Sequence, residues 1–138
     1  MPAVVTAGAL YALLDASDSQ HAAMSAALAQ VEPPLVLTPP VLVDAMRLAE
    51  RFLGREAALR LLDAVLDGEV LLENLDRRDL AAARRVLQAE PEVGPSSALA
   101  VTAAARLGIG VALCAEPGVA AMARRQGLQV LPGEDATA

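Results

Sequence analysis

The chain has 138 residues, a formal net charge of −6 and a hydrophobic fraction of 55%. That length can build a hydrophobic core without staples, and the negative balance speaks against a broad, non-specific nucleic-acid binder, which carries a basic stripe. Cys114 is the single cysteine, so an intrachain disulfide is excluded.

In chain order, Ala3-Val4-Val5 reads as a first strand, followed by Ala9, Leu10, Leu13 and Leu14 at helical spacing. Asp18 is placed to cap a second helix with Ala23, Met24, Ala27, Leu28 and Val31 on one side. Pro33-Pro34 ends it, and Leu35-Val36-Leu37 is a second strand. Pro39-Pro40 suits the first turn of a third helix, because proline there loses only a donor that has no partner anyway. Leu42, Ala45, Ala49 and Phe52 give that helix its apolar stripe, and Gly54 breaks it. A fourth helix turns Ala58, Leu59, Leu62, Val65 and Leu66 inward, with Gly68 past its end. Val70-Leu71-Leu72 is a third strand. Asp76 and Asp79 then form a capping arrangement for a helix with Leu80, Ala83 and Leu87. A loop from Glu90 to Pro95 precedes a helix capped by Ser96 or Ser97 and ended by Gly108. Ile109–Leu113 is a fourth strand, Pro117 begins a short helix that Gly127 stops, and Leu128–Leu131 is a fifth strand.

Strands alternating with helices predict a three-layer α/β/α domain over 1–132, with a central parallel sheet of four or five strands and a tail over 133–138. One Tyr, one Phe and no Trp leave small aliphatic side chains to fill its core. Ligands of such sheets gather beyond the C-terminal ends of the strands. No uncharged apolar run reaches the roughly 18–20 residues of a membrane span, and the N-terminus lacks the basic start of a secretory signal. A cytoplasmic location is the expectation. The basic residues are all arginine, a bias that fits GC-rich coding and carries no functional reading.

Four segments, in this order, resemble the PIN-domain family and its VapC-type toxins. Val4-Val5-Thr6-Ala7-Gly8-Ala9-Leu10 is similar to the family's opening strand and the turn after it. Thr38-Pro39-Pro40-Val41-Leu42-Val43-Asp44 resembles its second strand exit and acidic helix. Ser97-Ala98-Leu99 through Gly108 is similar to its Asp-Ala helix, and Gly110-Val111-Ala112-Leu113-Cys114-Ala115-Glu116 to the strand that ends in Thr-x-Asp. The closing Gly127–Pro132 also fits. The resemblance implies a ribonuclease fold with four clustered acids that hold Mg²⁺ or Mn²⁺. Such a hard ion sheds its waters only where carboxylates and phosphates offset the dehydration, and it stabilises charge on the attacking and leaving oxygens. At the four positions this chain has Thr6, Asp44, Ser97 and Ala115, and Leu113 stands where the family has Thr. One carboxylate of four remains, and neutral hydroxyls bring no charge.

The resemblance therefore implies a PIN-like protein without the standard metal site and with no cofactor, acting by binding RNA or a protein partner. It also implies a homodimer, and a small antitoxin-like partner that in such toxins lies across the cleft. The alternative is an active Mg- or Mn-dependent ribonuclease with relocated ligands drawn from Asp44, Glu116, Asp15 and Asp18. Several residues carry two readings. Asp44 is either a remaining ligand or an exposed carboxylate paired with Arg47. Glu116 either enters the pocket by a one-residue slip or lies at the positive end of the Pro117 helix. Arg47 and Arg51, with Arg55 four further on, are either a phosphate track or a solvated face. Arg77, Arg78, Arg84 and Arg85 read as a solvated face. Gly8 makes either a plain turn or a turn whose bare amides accept an anion. His21 has no companions for a zinc site, and Cys114 reads as a buried small hydrophobe.

Overall fold

Ala3–Val5 (β1), Leu35–Leu37 (β2) and Val111–Leu113 (β4) are buried at every residue. Neighbouring side chains of a strand point to opposite faces, so this pattern requires cover on both sides of the sheet. The computed structural model, which describes residues 2–133, supplies that cover with helices. They are α1 (Ala7–Leu14), α2 (His21–Leu28), α3 (Pro39–Leu53), α4 (Arg55–Leu66), α5 (Arg77–Ala89), α6 (Pro95–Leu107) and α7 (Pro117–Arg125). Val70–Leu72 (β3) and Gln129–Leu131 (β5) form the edges and are partly exposed.

All strand pairs are parallel and the order is β3-β2-β1-β4-β5. The chain steps outward from β1 to β3, then returns to lay β4 on the free side of β1. This reversal makes the β1/β4 junction the topological switch point, where the two connections leave in opposite directions and open a crevice. Val5 pairs with Leu113 at that junction, and the Thr6 amide donates to the Leu113 carbonyl at 3.1 Å.

Small residues set the helix packing. The α6 helix buries Ser97, Ala98, Ala100, Val101, Thr102, Ala103 and Ala104, nearly its whole circumference. A helix buried this completely has to satisfy its polar groups internally. The Thr102 hydroxyl donates to the Ala98 carbonyl at 2.9 Å, and Arg106 grips Asp79 of α5 with two bonds of 2.8 and 2.9 Å. Asp79 is 1% exposed. It also accepts the Asp76 amide, while Asp76 caps the Arg78 and Asp79 amides, completing the anticipated capping box.

Several sequence expectations shift. Phe52 is 58% exposed and Leu66 81%, and Leu59, Leu80 and Leu28 also face outward. The buried faces are Val41, Ala45 and Ala49 on α3 and Ala57, Ala58 and Leu61 on α4, so the predicted stripes hold at Ala45, Ala49 and Ala58 and fail at Phe52, Leu59 and Leu66. Alanine reads as apolar on every side of a helix, so it does not fix the phase, and the closest helix contacts select the smallest residues. Asp18 does not cap α2. Its carboxylate accepts the Gln20 amide in the turn before, and Gln20 holds the cap position. Ser96 and Ser97 are not caps either, because Pro95 already begins α6 after Gly94. Gly108 ends α6 in the left-handed region, as expected. The fourth and fifth strands are shorter than predicted, Val111–Leu113 and Gln129–Leu131. Residues 134–138 of the predicted tail lie outside the described residues.

Candidate functional site at the strand switch

Thr6 follows β1 directly and its extended backbone makes it the N-cap of α1. Its hydroxyl accepts the Ala9 amide at 3.4 Å and donates to Glu116 Oε2 at 3.0 Å. The Gly8 amide, in the first turn of α1, donates to Glu116 Oε1 at 3.0 Å. The Ala115 amide completes the set, reaching Glu116 Oε2 at 3.2 Å. The Glu116 carboxylate therefore lies between the end of β4 and the positive end of α1, held by one hydroxyl and two backbone amides, all neutral.

Gly8 permits this approach. A Cβ built there would stand 2.1 Å from Glu116 Oε1 and 2.9 Å from Cδ. The space at Gly8 is taken up by the carboxylate that approaches it, and its φ is not in the left-handed range. The anion reading of Gly8 thus describes the observed geometry, with the anion supplied by the chain itself. Glu116 does occupy the N-cap position of α7, but its side chain makes no capping bond there. It turns back towards α1 instead.

A cavity of about 350 Å³ opens beside this contact, lined by Ala7, Gly8, Asp44, Arg47, Leu48, Ser96, Ser97 and Glu116. The four family positions are thus gathered. Thr6 and Ala115 bond Glu116 directly, and Asp44 and Ser97 share its cavity. Asp44 lines the cavity and also lies 3.7 Å from Arg47 Nη1. Asp15 and Asp18 stay away. Asp15, at the far end of α1, accepts the Tyr11 hydroxyl and bonds Ser17, and Asp18 holds its own turn.

The arginine track does not survive as a stripe. Gly54, at φ 100°, separates α3 from α4, so Arg55 opens a different helix and pairs with Glu50 at 2.8 Å. Arg51 lies over the Phe52 ring at 5.1 Å, and Phe52 meets Tyr11 edge-on at 5.9 Å. Of the two arginines, only Arg47 reaches the cavity. Among the described residues, no three His, Cys, Asp or Glu side chains gather as a metal-binding group.

Electrostatics around the site follow from burial and pairing. Burial pushes the Cys114 thiol up to about 12, with Glu116 adding to the shift, so the residue is an inert part of the core. His21 Nδ1 lies 2.7 Å from the Ala12 carbonyl and ties the start of α2 to α1. At the other edge of the sheet, near the starts of β2 and β3, lies a larger cleft of about 680 Å³. Leu10, Leu14, Val31, Leu61 and Val70 give it an apolar lining, and Glu32, Asp63, Asp67 and Glu69, with Arg60 among them, a mainly acidic one.

No family model and no curated protein matches the chain. Among solved structures, VapC20 of Mycobacterium tuberculosis, described as a sarcin-ricin loop cleaving toxin, superposes with a TM-score of 0.78. The match covers 88% of this chain and 95% of that one at 20% identity. The chain has a VapC-like PIN fold, a parallel five-stranded sheet flanked by helices. No helix among the described residues is long and apolar enough to cross a membrane.

Proposed function

We propose that this PIN-fold protein has lost metal-dependent nuclease chemistry and acts by binding, as a protein of the toxin–antitoxin kind. The observation that carries this reading is the state of Glu116. It is the nearest carboxylate to the lost fourth acid, yet both of its oxygens already accept hydrogen bonds from Thr6, Gly8 and Ala115. The other acid of the cavity, Asp44, has Arg47 beside it. A hard divalent ion gives up its waters only to several anionic oxygens, and two carboxylates, one already bonded by three donors and one beside an arginine, are a poor set for Mg²⁺ or Mn²⁺.

Binding partners follow from the surfaces. Arg47 at the mouth and exposed Arg51 favour contact with a phosphate backbone. The acid-lined apolar cleft at the opposite edge favours a basic, apolar protein segment, the chemistry of an antitoxin-like partner. Exposed Phe52, Leu66 and Leu80 favour pairing with a second copy, which sedimentation equilibrium tests as a dimer.

The deciding experiment is a cleavage assay on structured RNA with Mn²⁺ or Mg²⁺, run beside metal titration of the purified protein. The expected outcome is no metal-dependent cutting and no site-specific metal binding, with RNA retention in gel shifts that weakens as salt rises. Metal-dependent cutting abolished by Asp44→Ala would establish the active ribonuclease with relocated ligands, for which Asp44 and Glu116 share the cavity.

A further inference from the structure

We propose that Tyr11, Phe52 and Arg51 form a surface stacking platform for an unpaired nucleobase of single-stranded RNA. The inference rests on the binding reading above and names the form of RNA and the residues that hold it. Its starting point is where the aromatic rings lie. The chain has one Tyr, one Phe and no Trp, and neither ring belongs to the core. Phe52, near the end of α3, is 58% exposed, and Tyr11 of α1 is half-buried beside it. The rings meet edge to face at 5.9 Å, an arrangement that aromatic pairs favour. A core of Ala, Val and Leu has thus left both flat side chains at the surface, and together.

A cation on this pair is the second observation. The Arg51 guanidinium carbon lies 5.1 Å from the centre of the Phe52 ring, and Arg51 makes no ion pair among the described residues. Both carboxylates of α3, and Asp15 at the end of α1, have other partners. Asp44 faces Arg47, Glu50 takes Arg55, and Asp15 takes the Tyr11 and Ser17 hydroxyls. Arg51 therefore keeps its charge available while its side chain lies against the ring. Arg47 stands one helical turn earlier on α3, about 6 Å along the axis, and gives a second cation in line with the first.

These features select the occupant. A nucleobase stacks on an aromatic ring or on a guanidinium plane, and the phosphate joined to it favours a cation close by. Arg51 meets both needs, and Arg47 can take the next phosphate along the strand. A duplex keeps its base faces within its own stack, so the platform favours single strands. Every base has a π-face, so two rings select no sequence. Contact between copies of the chain is served by exposed Leu66 and Leu80, which leaves Phe52 to the base.

The test measures binding of a short, labelled oligouridine with EDTA present, so that cutting plays no part. Loss of one stacked base lowers affinity by about fivefold or more, so Phe52→Ala should weaken binding by that factor and Phe52→Tyr should restore it. A strand of equal length and charge with abasic positions should bind wild type and Phe52→Ala alike. Arg51→Ala should reduce the salt dependence by about one phosphate contact. Tyr11 is the single tyrosine, so quenching of its emission by oligouridine and not by the abasic strand locates the contact. Equal affinity of wild type and Phe52→Ala for oligouridine, an equal loss with the abasic strand, or no binding by wild type would overturn the proposal. So would a Phe52→Ala variant that loses self-association in sedimentation equilibrium while holding RNA as before, which makes the patch an interface between copies. Metal-dependent cutting abolished by Asp44→Ala removes the binding reading and leaves the platform standing, whereas unchanged RNA affinity in Phe52→Ala without such cutting removes only this inference.

Discussion

Two carboxylates are each held by several donors in this fold, Asp79 buried and Glu116 half-buried, and their surroundings differ in one respect. Asp79 is clasped by the Arg106 guanidinium through two bonds and also accepts the Asp76 amide. Glu116 is held as closely, but by a hydroxyl and two amides, with no cation in contact among the described residues and a cavity at its side. The first is a closed pair in which each partner's desolvation depends on the other. The second is an anion held by neutral donors alone. The comparison separates a carboxylate that joins helices from one that occupies a site.

The largest expected effect tests the structural half. Asp79→Ala leaves Arg106 partly buried with only its longer 3.4 Å contact to Asp76, and removing one member of a buried pair costs about 3–5 kcal/mol. Urea unfolding should register this, and a loss below about 1 kcal/mol would mean that the pair is screened like a surface one.

Gly8→Ala comes next. Its new Cβ overlaps Glu116, and each lost hydrogen bond is worth about 0.5–1.5 kcal/mol. The gain in helix propensity is about 1 kcal/mol, so the net destabilisation should be about 1–2 kcal/mol. The NMR signature is displacement of the Glu116 side chain. An unchanged Glu116 environment would mean that α1 shifts to make room.

Glu116→Gln keeps the shape and removes the charge, and should change stability by no more than about 1 kcal/mol. A much larger loss would make Glu116 a structural member like Asp79 and erase the comparison.

The smallest effect concerns pH. Arg78, through its hydrogen bonds to Asp76, holds that carboxyl near 2, below its ordinary 3.8. The folded-state value is depressed, so the stabilisation is complete above 3.8 and is lost as pH falls towards 2. Carboxyl titration by NMR should place the Asp76 midpoint about there. The Tyr11 phenol, bonded to Asp15, should titrate near 12.

Much of this was legible in the residues. The strand cores, the proline-led helices α3 and α7, the Asp76–Asp79 capping box and the stop at Gly108 all depend on local chemistry, and each was readable from a few adjacent residues. The family resemblance implies a gathering of Thr6, Asp44, Ser97 and Ala115; Asp44 and Ser97 line the cavity, and Thr6 and Ala115 bond the Glu116 that shares it. Helix phase was not legible where alanine fills several faces, which is why Phe52, Leu59, Leu66 and Leu80 were turned the wrong way. The role of Glu116 stays open in the sequence because it rests on a side-chain torsion. Next to Pro117 the residue resembles a helix cap, and only the glycine opposite, far off in sequence, decides the outcome. The isolated Gly8 after a strand was the available signal, and it named an anion without naming its owner.

Thr6 and Glu116 stand 110 positions apart. Because the sheet doubles back between them, this contact does not exist in any fragment that stops short of the fourth strand. During synthesis the amino-terminal half emerges with its donors facing water, and the cradle closes only after the last third of the polypeptide has threaded into place. Occupancy of that cradle is thus a certificate of completed assembly, and a probe sensing the Gly8 amide would distinguish finished molecules from partly built ones.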